Sequence, residues 1–467
     1  MTTSRSPCSR SPPPSRHTTR RTFVTRTPEF HGAVHQNLYL AEGGREVHAV
    51  ITVDAQGDAA VQNTSPQAAE VLILDCSGSM GSPAEKIIQA KEAARAAIDE
   101  LPDGVWFALI AGSVGARMLW PAQPHLVLAD PETRAEARDA LRGLDTVGGT
   151  AIGTWLRLAG QLLGGHPEVI RHAILLTDGR NEHESPEQLR AALRDCEGKF
   201  SCDCRGVGTD WSVAELRTIS SALRGTVDLV VEPAELAEDF RAMMASSMRK
   251  AVGDVGLRLW TPVGATVRFV IQTAPTLVDL SPHRVDSGPL TGDYPTGSWG
   301  TESRDYLLGV ELEPGDVGEE KLACRVTFVH ANTDGTELPL RQFFSHTEPD
   351  GRTNEFSSAR IRALWTDDLT QSTVFNDKVA VVTSRAELAK AVQDGLAAHR
   401  GGDPDQAVDC LSRARKLAEQ VHDDNLRARL DQIYDPDTRT FRLNRMSAQE
   451  EMGLDIESTK TTPLDRG

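Results

Sequence analysis

At 467 residues the chain exceeds one ordinary core, so two or three domains are expected. Apolar residues at 39% suffice for a real interior. The formal charge of −17, from 50 Lys+Arg against 67 Asp+Glu, argues against a dedicated nucleic-acid binder, which carries a basic footprint.

Residues 1–30 hold six arginines, several prolines and no apolar run of the length a signal peptide needs. They read as a solvated, disordered arm. Seven cysteines without a regular framework are those expected of reduced thiols, which places the protein in the cytoplasm. No stretch of 18 apolar residues is present to span a membrane, so no membrane partner is expected.

Residues 31–67 contain "NLYLAEGGREVHAVITVDAQGD", two strands joined by a turn and punctuated by Gly43-Gly44 and Gly57-Asp58. Residues 68–250 change rhythm. Apolar strands at 71–74, in "GVWFALIAGS", within 169–179, in "CDCRGVGTD" and in "TVDLVVE" alternate with amphipathic helices. In the first helix Ile87, Ala90, Ala94, Ala97 and Ile98 share one face, with Ser82-Pro83 as N-cap and first turn. Such alternation predicts a doubly wound, Rossmann-like α/β domain: a mostly parallel sheet with helices on both faces.

Residues 251–348 return to strands and turns, with Val267, Phe269 and Ile271 alternating as one buried face. The two strand-rich blocks are expected to form one β-sandwich into which the α/β domain is inserted. Residues 349–441, from "NEFSSARIRALWTDDLTQ" onward, read as a C-terminal helical region ending in a hairpin turned by Gly-Gly-Asp-Pro, and that hairpin is expected to lie on the sandwich. It faintly resembles a tetratricopeptide unit, though one pair of helices makes no solenoid. Residues 442–467 read as a polar, flexible tail.

The stretch "VLILDCSGSMG" sends a buried strand into Asp75, Ser77 and Ser79. "TVGGTAIG" offers Thr150 after two glycines at the start of a helix, and "LLTDGR" sets Asp178 just beyond another buried strand. In open α/β sheets, ligands sit at the carboxyl ends of the strands, where both aspartates fall. All five side chains present hard oxygen, which suits Mg²⁺ first and Mn²⁺ or Ca²⁺ as alternatives. Taken alone, the first loop equally suits Ser and Asp side chains capping a strand end.

Together these residues resemble the metal-ion-dependent adhesion site (MIDAS) of von Willebrand factor type A (VWA) domains, a resemblance that covers about 68–250. DxSxS, a distant Thr and T-D-G arrive in the family's order. The resemblance implies that Ser77, Ser79 and Thr150 contact the metal, with Asp75 and Asp178 in or next to its coordination sphere. It also implies a partner protein supplying an Asp or Glu to the metal, hence a binding or scaffolding module. The surrounding sandwich is similar to the layout of inter-α-trypsin-inhibitor-like and bacterial type A proteins. An alternative within the same resemblance is an adaptor subunit of a MoxR- or chelatase-type AAA+ ATPase complex.

Enzymatic readings fail on particular residues. A D-x-D phosphatase would need a carboxylate where Ser77 stands, and "SGSMG" lacks the first glycine of G-x-S-x-G. Ser79 has no evident histidine base; His183 sits in a polar loop and reads as solvated. No G-x-x-x-x-G-K-[ST] is present, so no ATPase activity is expected of this chain. Cys196, Cys202 and Cys204 offer one C-x-C, too little for zinc, and Cys76 is expected to point into the core. In the tail, Ser458, Thr459, Thr461 and Thr462, with Asp465 three residues after Thr462, suggest a phosphorylated docking peptide for a phosphopeptide-binding partner.

Overall fold

The computed structural model describes residues 28–56, 68–230, 232–331, 337–338, 340–347 and 351–466. The expected arm, but for its last three residues, and the Gly57-Asp58 turn lie outside them.

Three strands open the fold: β1 (Glu29–Gln36), β2 (Tyr39–Ala41) and β3 (Glu46–Gln56). The expected turn lies between β2 and β3, where Gly43 takes φ +75°, a conformation that favours glycine. Next comes the α/β domain. Its elements are β4 (Ala68–Asp75), α1 (Glu85–Asp99), β5 (Trp106–Gly112), β6 (Ala116–Trp120), β7 (Val127–Leu128), α2 (Pro131–Ala140), α3 (Ile152–Gly164), β8 (Ile170–Thr177), α4 (Pro186–Cys196), β9 (Ser201–Val207), α5 (Val213–Ala222), β10 (Val227–Val230) and α6 (Leu236–Met248).

The sheet order is β10-β9-β8-β4-β5-β6, parallel except for β6, with β7 on β5. Every residue of β4 is buried, because neighbours flank it on both edges and helices cover both faces. Chain order runs outward from β4 in one direction and from β8 in the other. The topological switch point therefore lies between these two strands, and Asp75 and Asp178 stand at their carboxyl ends. The short antiparallel β6 and β7 have no counterpart in the sequence expectation. Nor does Ser82 cap α1: residues Gly78–Gly81 form a 3₁₀ turn, and the helix starts at Glu85 with no side-chain cap.

The sandwich then resumes with β11 (Val252–Trp260), β12 (Ala265–Ala274), β13 (Val278–Asp279), β14 (Val285–Gly288), β15 (Thr291–Trp299), β16 (Glu302–Leu312), β17 (Glu320–Ala331), β18 (Glu337–Leu338), β19 (Gln342–Thr347), β20 (Thr353–Phe356) and β21 (Ala359–Thr366). One sheet runs β13-β12-β16-β3-β1-β19-β20 and the other β14-β15-β11-β17-β21-β2, with β18 on β17. Strands from before and after the α/β domain thus share both sheets, and Phe30, Trp299, Tyr306, Phe328 and Phe344 fill the space between them. On β12 the expected alternation slips. A bulge between Val267 and Phe269 shifts the register, so that Val267 packs toward the sandwich core while Phe269 faces the C-terminal helices.

Residues 353–366 correct another expectation. The segment "ARIRALWT" is not helical but forms β21, with Ala359, Ile361, Ala363 and Trp365 buried and their neighbours half-exposed. Ala, Leu and Arg favour helices, but the apolar period here is two, and burial between β17 and β2 decides. The sandwich therefore reaches Thr366, and the helical region follows it as α7 (Leu369–Ser372), α8 (Asp377–Arg400), α9 (Pro404–Gln420), α10 (Asp424–Ile433) and α11 (Ala448–Glu457). Val379 and Val382 of α8 seat the hairpin on Val50 and Leu307 of the sandwich.

A further correction concerns residues 442–466, which are not a loose tail. Ser447 and Glu450 form a capping box that starts α11. Met452 and Ile456 then bury against the α/β domain and Leu454 against the helical hairpin. Beyond it, Lys460 pairs with Asp228, Thr459 O accepts from Leu277 N (2.8 Å), and the Leu464 N–H donates to the Asp305 carboxylate (2.6 Å). Ser458 and Thr459 are buried and Thr461 is half-buried; of the four hydroxyl residues considered for phosphorylation, Thr462 is the exposed one. Polar residues read as a solvated tail because their partners are supplied by segments hundreds of positions away.

Candidate metal centre

Three loops meet at the switch point. The first follows β4. Asp75 is fully buried; its Oδ1 accepts from the Ser77 N–H (2.7 Å) and its Oδ2 from the Thr177 hydroxyl (2.6 Å). The Ser77 and Ser79 hydroxyls lie 3.0 Å apart, and Ser79 Oγ donates to Asp178 Oδ1 (2.7 Å). Cys76, between these ligand candidates, turns into the core, its Sγ donating to Gly112 O (3.1 Å).

The second loop, 144–150, is tied to the first by the backbone: Val147 N donates to Cys76 O (2.7 Å) and Gly78 N to Gly148 O (2.9 Å). Gly148 has φ +79°, which a side chain would strain. The third loop follows β8 and holds Thr150 in place. Asn181 Oδ1 accepts from the Ile152 N–H (2.8 Å) and Glu184 from the Gly153 N–H (2.7 Å), so the first amide groups of α3 are satisfied by side chains of the Asp178 loop.

Convergence is visible at Gly179. A Cβ built there would lie 3.1 Å from Thr150 Oγ1, 3.4 Å from Ser79 Oγ and 3.9 Å from Asp75 Oδ2. A side chain there would crowd the Thr150 hydroxyl and take up space beside the other oxygens. The structure thus brings Asp75, Ser77, Ser79, Thr150 and Asp178 to one place. Burial pushes the Asp75 carboxyl up to about 6, against the hydrogen bonds from Ser77 and Thr177, and the Asp178 charge adds to the rise.

Five participants were missed by sequence reasoning. Thr177 orients Asp75, and its signal was present as the first letter of T-D-G. His183 is exposed but not merely solvated: its imidazole lies so close to Gly149 that a Cβ there would sit 2.0 Å from the ring, and Nδ1 accepts from the Thr150 N–H (3.4 Å). Asn181 and Glu184 also had no local signal. Lys86, in the first turn of α1, donates from Nζ to Asp178 Oδ2 (2.7 Å) and lies 3.5 Å from Asp210 Oδ2. Burial works against its ammonium, yet the hydrogen bond and charge of Asp178 outweigh it and hold the pKa above the usual lysine value.

Residues 69–229 match the family model described as von Willebrand factor type A domain. The whole chain resembles a solved structure, a von Willebrand factor type A protein from Catenulispora acidiphila, with 44% identity and a TM-score of 0.85 over 94% of this chain and 98% of that one. The chain belongs to the von Willebrand factor type A family. The chain is also 29% identical to an uncharacterised protein of Synechocystis sp. over 45% of this chain and 49% of that protein. Identity to human inter-alpha-trypsin inhibitor heavy chain H4 is 32% over 39% of this chain and 20% of that one. The chain therefore spans about half the length of the first of these curated relatives and a fifth of the second.

The donor set fits the divalent cation that the family's adhesion site takes. Three hydroxyls and two carboxylates are hard ligands, and Gly179 keeps the space among them clear. Among the described residues no helix is long and apolar enough to cross a membrane, and no cluster of three or more His, Cys, Asp or Glu suggests a different metal centre. Cys196, Cys202 and Cys204 are buried free thiols in the VWA core.

Proposed function

We propose that this protein is a divalent-metal-dependent protein-binding module whose VWA domain recognises an acidic side chain of a partner. The convergence of Ser77, Ser79, Thr150, Asp75 and Asp178 around Gly179 carries this reading. When bound, a Mg²⁺ ion supplies a Lewis-acidic centre with a coordination position for a carboxylate from outside. Ser77, Ser79 and Thr150 are its direct ligands in this reading, while Asp75 and Asp178 balance its charge and orient the two serines.

Binding rather than hydrolysis is favoured by where the protons point. Ser79 directs its hydroxyl hydrogen at Asp178, and His183 turns Nδ1 to the Thr150 backbone, so no imidazole is in place to activate Ser79. Titration calorimetry with Mg²⁺ and Mn²⁺ tests the site: one equivalent is expected in the intact protein and none in Asp75→Ala. Affinity capture with and without Mg²⁺ tests the function, and equal recovery of partners from both conditions would refute it.

A further inference from the structure

Two buried carboxylates would ordinarily make this site a simple cation trap, but the structure places a cation of its own beside it. The Lys86 side chain is only 10% exposed, and Asp178, its 2.7 Å partner, is wholly inaccessible. The stem of Lys86 runs over Gly208, where a built Cβ would lie 3.7 Å from Cε and 4.0 Å from Nζ. Gly208 itself sits at φ +71° in the turn after β9 that leads to Asp210. Lys86 thus lies between two carboxylates, Asp178 in the site and Asp210, 72% exposed, at its rim.

Charge balance gives the lysine its importance. Asp75 and Asp178 contribute −2 and Lys86 +1, while solvent screens most of the charge of Asp210 at the exposed rim, so inside the desolvated pocket an arriving divalent ion meets a net −1. Once the ion is held, the same groups sum to +1. One incoming carboxylate neutralises that charge, whereas without the lysine the loaded site would be neutral before the partner arrived. In a partly desolvated site a charge at this range shifts ionic equilibria by an order of magnitude or more.

We propose that Lys86 sets the selectivity of the site, weakening metal binding in exchange for a cationic loaded state that selects a singly charged carboxylate. This rests on the proposed metal site and adds to it an assignment for a residue outside the DxSxS, Thr and T-D-G motifs.

The test uses the full chain at pH 8. Mn²⁺ is titrated into the intact protein, Lys86→Gln, Lys86→Met and Lys86→Arg. Acetate is then titrated onto each Mn²⁺-loaded form, with paramagnetic broadening of its methyl resonance as the readout. Removing the charge should tighten Mn²⁺ binding about tenfold and weaken acetate binding by a similar factor, while Lys86→Arg behaves as the intact protein does. Two neutral replacements guard against one that fails to fold, as judged by circular dichroism. Unchanged or weaker Mn²⁺ binding in the folded neutral variants would overturn the role of Lys86 and leave the metal site standing. Failure of the intact protein to bind Mn²⁺ at all would overturn the metal site and this inference with it.

Discussion

Arg217 of α5 donates from one guanidinium nitrogen to the Asp455 carboxylate (2.7 Å) and from another to the Asp455 carbonyl (2.9 Å), joining positions 238 residues apart. Arg400, at the end of α8, takes the other carboxylate oxygen at 2.8 Å. One aspartate of the last helix therefore binds the VWA domain and the helical hairpin together.

Asp455→Ala should accordingly destabilise the protein by about 2 kcal/mol, because it takes the carboxylate from the partly buried Arg217 guanidinium and one of two acidic partners from the exposed Arg400, which keeps Glu451, without exposing a large core surface. A chain ending at Leu454 should lose more, since it also removes the Lys460, Leu464 and Arg466 contacts. Urea unfolding of both forms measures this, and midpoints equal to that of the intact protein would show the C-terminal segment to be dispensable.

Asp75 carries a cost in the metal-free state. Its folded pKa, about 6, exceeds its unfolded value of 3.8, so the metal-free fold takes up protons as the pH falls from 6 to 4 and gains stability there. Above pH 6 the buried charge penalises the fold by roughly 3 kcal/mol. Asp75→Asn keeps the shape and removes the charge. At pH 7.5 it should stabilise the metal-free protein by about 1–3 kcal/mol while abolishing Mg²⁺ binding. Chemical denaturation in EDTA, paired with calorimetry, reads both effects, and a destabilised Asn variant would contradict the penalty.

His172 behaves oppositely. It lies in β8 with Nδ1 2.7 Å from Glu70 and Nε2 3.1 Å from Asp203, and the Ser247 hydroxyl also meets Glu70 (3.2 Å). Burial opposes its charge, but the two carboxylates prevail and raise its pKa from 6.5 to about 10. The stabilisation is fully present below pH 6.5 and is lost as the pH rises through 10. His172→Gln, which leaves Glu70 buried beside an uncharged amide, should cost about 3 kcal/mol at pH 7 and flatten the alkaline fall in stability. Melting curves between pH 6 and 10.5 for the two forms check the sign.

At the metal site, Gly149→Ala tests whether His183 positions Thr150. The new methyl overlaps the imidazole, which is exposed and free to swing outward, so stability should change by less than about 1 kcal/mol. Mn²⁺ affinity should nevertheless fall severalfold as the Thr150 loop loses its partner, and His183→Ala should reproduce that fall. Undiminished affinity in both would assign the Thr150 geometry to Asn181 and Glu184 alone.

The sequence by itself determined the elements whose signals are local. Apolar runs ending in aspartate marked β4 and β8, the glycines around Thr150 marked its loop, and alternating strands and helices marked the inserted domain, so five oxygen donors could be named before any contact was seen. Tertiary structure decided the rest, for physical reasons that no window of sequence contains. Alanine, leucine and arginine in β21 favour a helix, against an apolar period of two, and pairing with β17 and β2 decides between the two signals in favour of the strand. Polar residues after Arg442 look solvated until Asp228, Asp305 and Arg217 arrive to pair with them. Lys86 reads as one more exposed charge on an amphipathic helix, because its meaning depends on Asp178, 92 positions away and brought to 2.7 Å by the crossover that places β8 beside β4. Propensity and periodicity act over a few residues, whereas charge balance and burial belong to whatever the fold makes adjacent.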